Sequence, residues 1–180
     1  PLRDEIRILI KEHGDKVVSD VNIGQVYGGM RGVKGLVCDT SEVPPDKGLI
    51  IRGIELKELT GKLPEEIFIL LLSGELPTAD ELAELQQILH DRAEVPDYVW
   101  AVLDAMPADS HPMAMFNTAV LIMQRESVFA RRYNEGMKKD EYWLAPLEDT
   151  LNIVAVLPEI AAGVYRMRFG KGPRIPHAPS

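Results

Sequence analysis

The chain has 180 residues, 46% of them apolar and 27% charged, with a formal net charge of −8. That is the composition of an ordinary globular protein, long enough for one full-sized domain or for part of a larger one. The acidic balance argues against general nucleic-acid binding, which needs a basic surface to release counterions from phosphates, and no apolar run approaches the roughly 20 residues that span a bilayer.

Helical periodicity dominates the chain. Leu2, Ile6, Leu9 and Ile10 form one apolar stripe, closed by Gly14. The opening segment PLRDEIRILIKEHGDK lacks an apolar signal core, and its Asp4 and Glu5 disfavour a transit peptide. Between residues 34 and 53 the texture changes. LVCDTSEV and LIIRGI flank the turn sequence PPDKG, which predicts a short β-hairpin.

LPEEIFILLLSG then reads as a helix with Pro64 at its first position, Glu65 and Glu66 at the positive end of its dipole, and Gly74 past its end. Thr78 and Glu81 have capping-box spacing, opening a helix in which Leu82, Leu85, Ile88 and Leu89 share a face. Pro96 and Pro107 bracket a short helix holding Trp100 and Leu103. From Pro112 the pattern is different, because apolar residues surround the axis almost completely from Met113 to Met123. Such a helix is buried on every side, in a large core or against another subunit. A last helix is predicted from about Asp140 to Arg168 with a kink at Pro158, and GKGPRIPHAPS reads as a loop. The expected fold class is all-α with one small N-terminal hairpin.

Chemistry-bearing motifs are sparse. The glycine-rich nucleotide loops are absent, and one cysteine with four scattered histidines has no zinc-ligand spacing. A single cysteine also excludes an intrachain disulfide, which favours a reducing compartment. Cys38 falls in a predicted strand, where a buried, inert thiol is expected. His111, before Pro112, reads as a helix cap rather than an acid or base, and His13 as a residue favoured by a helix C-terminus. His90 lies in a polar helical stretch as a solvated residue, and His177 lies in the tail. Two basic runs, Arg131–Lys139 and Arg166–Arg174, are candidate anion sites, although such runs are usually solvated faces. Arg31 is the better candidate, because Gly29 and Gly32 let a ligand approach the backbone closely.

YGGMRGVKGLVCDTSEVPPDKGLIIRG resembles the N-terminal part of the citrate synthase family, in the form found in mitochondria and some bacteria. The similarity continues in one register through LPEEIFILLLSGELPT, through SHPMAMFNTAVLIMQRESVFARRYNEGMKKDEYW and into LPEIAAGVYR. GGMRGVKGL, LSGELPT, HPM and ESVFARRYNEG in this order form a specific set.

The resemblance implies a mostly helical fold with large and small domains, working as a homodimer that condenses acetyl-CoA with oxaloacetate to citrate and CoA. No metal and no permanently bound cofactor is implied. It identifies residues 1–180 as the N-terminal part of the large domain. It matches the helix at about Pro112–Arg125 to a subunit interface. Family members are more than twice this length, and the residues they use for catalysis fall beyond the matched region. No residue here therefore inherits a catalytic role, and the chain alone is expected to be inactive. Two positions carry over. Arg31 matches an arginine that reaches a CoA phosphate from the partner subunit, and Lys139 falls where relatives place a phosphate-binding arginine. Lysine keeps the charge but loses the bidentate fork. Lys34 is expected to be structural or solvated. The alternatives are a 2-methylcitrate synthase, which uses propionyl-CoA, and a non-catalytic helical dimerisation module. The expected location is the bacterial cytoplasm or the mitochondrial matrix, with the cytoplasm preferred.

Overall fold

A computed structural model describes residues 2–35 and 37–175, with side chains from Asp4 onward. His177 and the end of the predicted tail loop lie outside the described residues. The chain divides into two compact units, Pro1–Gly61 and Lys62–Ser180.

The first unit opens with α1 (Leu2–His13), its acids in the first turn and Lys11 and His13 in the last. Gly14 closes it, donating its N–H to the Ile10 carbonyl at 2.9 Å. A short helix that periodicity did not predict, α2 (Ile23–Tyr27), starts from a capping box between Asn22 and Gln25. The hairpin follows. Strands β1 (Ser41–Glu42) and β2 (Ile50–Ile51) pair antiparallel, with Ser41 opposite Ile51. Pro44 and Gly48 close the turn between them through a 2.9 Å hydrogen bond.

The sheet does not stop there. A third strand, β3 (Ile54–Glu55), pairs antiparallel with β2 through the two-residue turn Arg52–Gly53. Both turn residues have positive φ, 48° and 83°, the hairpin geometry that usually selects Asn-Gly or Asp-Gly. Arginine at the first position hid the turn. Its guanidinium instead stabilises the site, donating to the Asp39 carboxylate at 2.9 Å. A single turn, α3 (Leu56–Leu59), buries Leu59.

The second unit is helical among its described residues. Helix α4 (Pro64–Ser73) begins at Pro64 and ends on Gly74, whose φ of 90° lets its N–H reach the Leu70 carbonyl. The Thr78–Glu81 capping box opens α5 (Ala79–Asp91) as predicted. Backbone and hydroxyl donors from Thr78 hold the Glu81 carboxyl below its ordinary range. Helix α6 (Asp97–Asp104) lies between the two prolines. Val99, Trp100 and Leu103 of α6 form the core with Met115 and Ala119 of α7 (Pro112–Ile122) and with Val156, Ile160 and Val164 of α9 (Leu144–Arg168).

Two helix boundaries are corrected here. Within one copy α7 buries Met115 and Ala119, whereas Met113 is 55% and Leu121 74% exposed, so the core of this copy does not enclose it. It stops at Ile122, where a 3₁₀ turn over Met123–Glu126 leads into α8 (Val128–Asn134). Helix α9 begins at Leu144, after a separate 3₁₀ turn at Lys139–Glu141. It then stays helical through Pro158 as one 25-residue element. Proline removes one donor from the helix ladder, and the buried flanks at Ala155, Val156 and Ile160 hold the helix on both sides of the gap.

Candidate functional site

Arg31 stands at the tip of a loop that α2 anchors. Gly28 donates to the Gly24 carbonyl at 2.8 Å, and Met30 to the Gln25 carbonyl at 2.7 Å. The backbone then passes through left-handed conformations at Gly29 (φ 76°), Met30 (φ 62°) and Gly32 (φ 76°). Glycine takes such angles without a Cβ penalty, but methionine there is strained. The result is an exposed Arg31 with no hydrogen-bond or ion-pair partner among the described residues. Lys34 is exposed too.

Lys139 belongs to the second unit. It starts the 3₁₀ turn that follows α8. Gly136, at φ 88°, turns the chain off the helix, and Met137 donates back to the Arg132 carbonyl at 3.0 Å. Phe129, Tyr133 and Tyr142 pack with ring centroids 5.6 to 6.0 Å apart and brace the turn. Arg132 pairs with Glu141 at 2.9 Å. Arg131, Lys138 and Lys139 remain exposed.

The N-terminus of α8 is fixed by a residue that periodicity gave no reason to select. The Asp149 carboxylate, on α9, accepts from the Val128 N–H at 2.6 Å, the Phe129 N–H at 3.1 Å and the Ser127 hydroxyl at 2.7 Å. A carboxylate at a helix N-terminus satisfies orphan donors and complements the dipole.

In the second basic run, Arg166 and Arg174 are structural, while Lys171 is exposed. Arg166 donates to the backbone carbonyls of Lys171 and Pro173. Arg174 pairs with Asp104 at 3.0 Å and lies 4.8 Å above the Trp100 ring. His111 is the cap of α7, its Nδ1 accepting from the Met113 N–H at 3.2 Å. His90 is half-buried rather than fully solvated, beside a recess of about 550 Å³ that Phe68, Leu89, Val154 and Pro158 also line.

Cys38 is corrected outright. It precedes β1 and is exposed. Its thiol is brought down to about 7, chiefly by the hydrogen bond with the Thr40 hydroxyl and then by the Ser41 backbone. Among the described residues, no group of three His, Cys, Asp or Glu could hold a metal ion, and no helix is long and apolar enough to cross a membrane.

Residues 29–180 match the family model described as "Citrate synthase, C-terminal domain". The chain belongs to the citrate synthase family. It is 42% identical over 179 residues to the mitochondrial citrate synthase of Saccharomyces cerevisiae, covering 94% of this chain and 37% of that protein. The peroxisomal citrate synthase of the same yeast is 40% identical over 178 residues, covering 93% of this chain and 39% of that protein. A mitochondrial 2-methylcitrate synthase of Yarrowia lipolytica is 40% identical, with 94% and 38% covered. The chain thus spans well under half the length of these relatives. Among solved structures, citrate synthase from Pyrobaculum aerophilum superposes with a TM-score of 0.71 at 23% identity, covering 91% of this chain and 45% of that one. The Thermoplasma acidophilum citrate synthase, in a ternary complex with carboxymethyl coenzyme A and oxaloacetate, gives 0.69 at 22% identity, covering 89% and 40%. These last two establish the mostly helical citrate synthase fold. The yeast relatives carry mitochondrial and peroxisomal names, which lend no support to the cytoplasmic preference.

Proposed function

We propose that this chain is the N-terminal part of the large domain of a citrate synthase. In this reading the complete enzyme is a homodimer that condenses acetyl-CoA with oxaloacetate to give citrate and CoA. The 42% identity to a mitochondrial citrate synthase carries the reading. The chain's own role is to build scaffold and to grip the nucleotide end of CoA. Arg31 offers an unpaired guanidinium on a preformed loop, suited to a phosphate approaching from the partner subunit. Lys139 offers a point charge to a second phosphate contact. The half-covered α7 fits a helix whose outer face, with Met113 and Leu121, meets the same helix region of a second copy.

No residue of the chain acts on the reacting atoms. Accordingly, acetyl-CoA and oxaloacetate incubated with the 180-residue chain release no CoA thiol above the uncatalysed rate. Clear turnover would overturn the assignment. In a full-length dimer, Arg31→Ala weakens CoA binding about 10- to 100-fold, the value of a lost charge-assisted hydrogen bond. An unchanged affinity by calorimetry would instead support a helical association module with Arg31 as mere surface. A second reading, condensation of propionyl-CoA, is favoured by the 40% identity to a 2-methylcitrate synthase. Comparing kcat/KM for the two thioesters separates them.

A further inference from the structure

Around Lys139 the charges are not used alike. Four cations, Arg131, Arg132, Lys138 and Lys139, share the segment with Glu135, Asp140 and Glu141. Only Arg132 and Glu141 form an ion pair there among the described residues, at 2.9 Å across nine residues of chain. That pair closes a ring. Arg132 lies on the last turn of α8, and Glu141 ends the 3₁₀ turn. The segment between them is pinned from within, because Met137 donates to the Arg132 carbonyl and Glu141 to the Lys138 carbonyl, both at 3.0 Å. Tyr142 sets its ring edge-on to Phe129 of α8, with centroids 5.6 Å apart.

The geometry points to Arg132 and Glu141 as a positioning pair that holds the Lys138–Lys139 turn in the conformation in which it receives a CoA phosphate. This rests on the reading of Lys139 as a phosphate-binding residue. Lysine has a long, flexible stem, and its ordering lowers its affinity for an anion. Fixing the backbone beneath it removes part of that cost before the ligand arrives. Neutralising Glu141 also keeps its carboxylate from competing with the phosphate for the lysines. Both members of the pair are partly exposed, with 33% and 46% of their side chains accessible, so the effect is modest and specific.

The test uses steady-state kinetics of the full-length dimeric enzyme containing this chain. Glu141→Gln raises KM for acetyl-CoA about three- to fivefold, the range set by a partly exposed ion pair. It leaves kcat and the KM for oxaloacetate unchanged. The swapped pair Arg132→Glu with Glu141→Arg returns KM to within about twofold of the parent, and Lys139→Ala raises it about tenfold. If Lys139→Ala acts and Glu141→Gln does not, the positioning role is wrong while the phosphate site stands. If Lys139→Ala leaves KM unchanged, both fall. An equal loss in kcat and in oxaloacetate affinity with Glu141→Gln would mark general damage and also overturn the proposal.

Discussion

Replacing Ile160 with alanine lowers the stability of the Lys62–Ser180 unit by about 2–5 kcal/mol. Ile160 is fully buried and belongs to the cluster in which α9 meets Val99 and Leu103 of α6 and Met115 and Ala119 of α7. Truncation there loses the transfer free energy of the removed methyl and methylene groups and leaves a cavity in a region that cannot easily collapse. Ala119, in the same cluster, is already small. Helix α9 also carries Pro158 two residues away, so its hydrogen-bond ladder has a gap in the same turn. The milder Ile160→Val costs about 0.5–1.5 kcal/mol. Urea unfolding monitored by circular dichroism measures both. Near-equal midpoints for Ile160→Ala and the parent would mean that α9 is not the centre of the core.

Helix boundaries were legible wherever the sequence contained an element with a stereochemical requirement. Pro64 with Gly74, Thr78 with Glu81, and His111 with Pro112 each fixed an end, and each cap is present. Errors arose where tertiary partners decide. Leu144 starts α9 because the residues before it are committed to the 3₁₀ turn and the aromatic cluster on α8, which no periodicity encodes. Strand β3 escaped because its turn uses Arg-Gly. The β-rich run LVCDTSEV predicts a strand at Cys38, yet pairing covers only Ser41–Glu42 on that side, so the thiol is exposed beside Thr40.

The candidate site was legible in a different way. Arg31 stood out physically, because Gly29 and Gly32 beside it take left-handed backbone angles that let a ligand approach closely. Lys139 did not. Its run of cations resembled the Arg166–Arg174 run, and the difference emerged only from geometry: two arginines of the second run, Arg166 and Arg174, are taken up by backbone carbonyls, Asp104 and Trp100, whereas Lys138 and Lys139 are exposed side by side. The supporting residues were invisible beforehand, since the Asp149–Val128 contact spans 21 residues and no short motif predicts a carboxylate on one helix capping another.

That capping carboxylate is the second large effect. Asp149→Ala destabilises the unit by about 2–3 kcal/mol, because the Val128 and Phe129 N–H groups and the Ser127 hydroxyl all lose a charged acceptor in a partly buried site. Asparagine does not rescue it. One amide oxygen can serve a single side of the site, while the NH₂ group turns donors toward donors, so Asp149→Asn remains close to the alanine variant. Ser127→Ala costs only about 1 kcal/mol, since the carboxylate still caps the two N–H groups. Hydrogen exchange distinguishes this mechanism from simple loss of packing: the Val128 and Phe129 amides become the fastest-exchanging residues of α8 in Asp149→Ala. Because α8 carries Arg132, the same variant also loosens the turn that presents Lys139. An Asp149→Asn protein as stable as the parent would show that the carboxylate's charge and double acceptance are not what hold α8 in place.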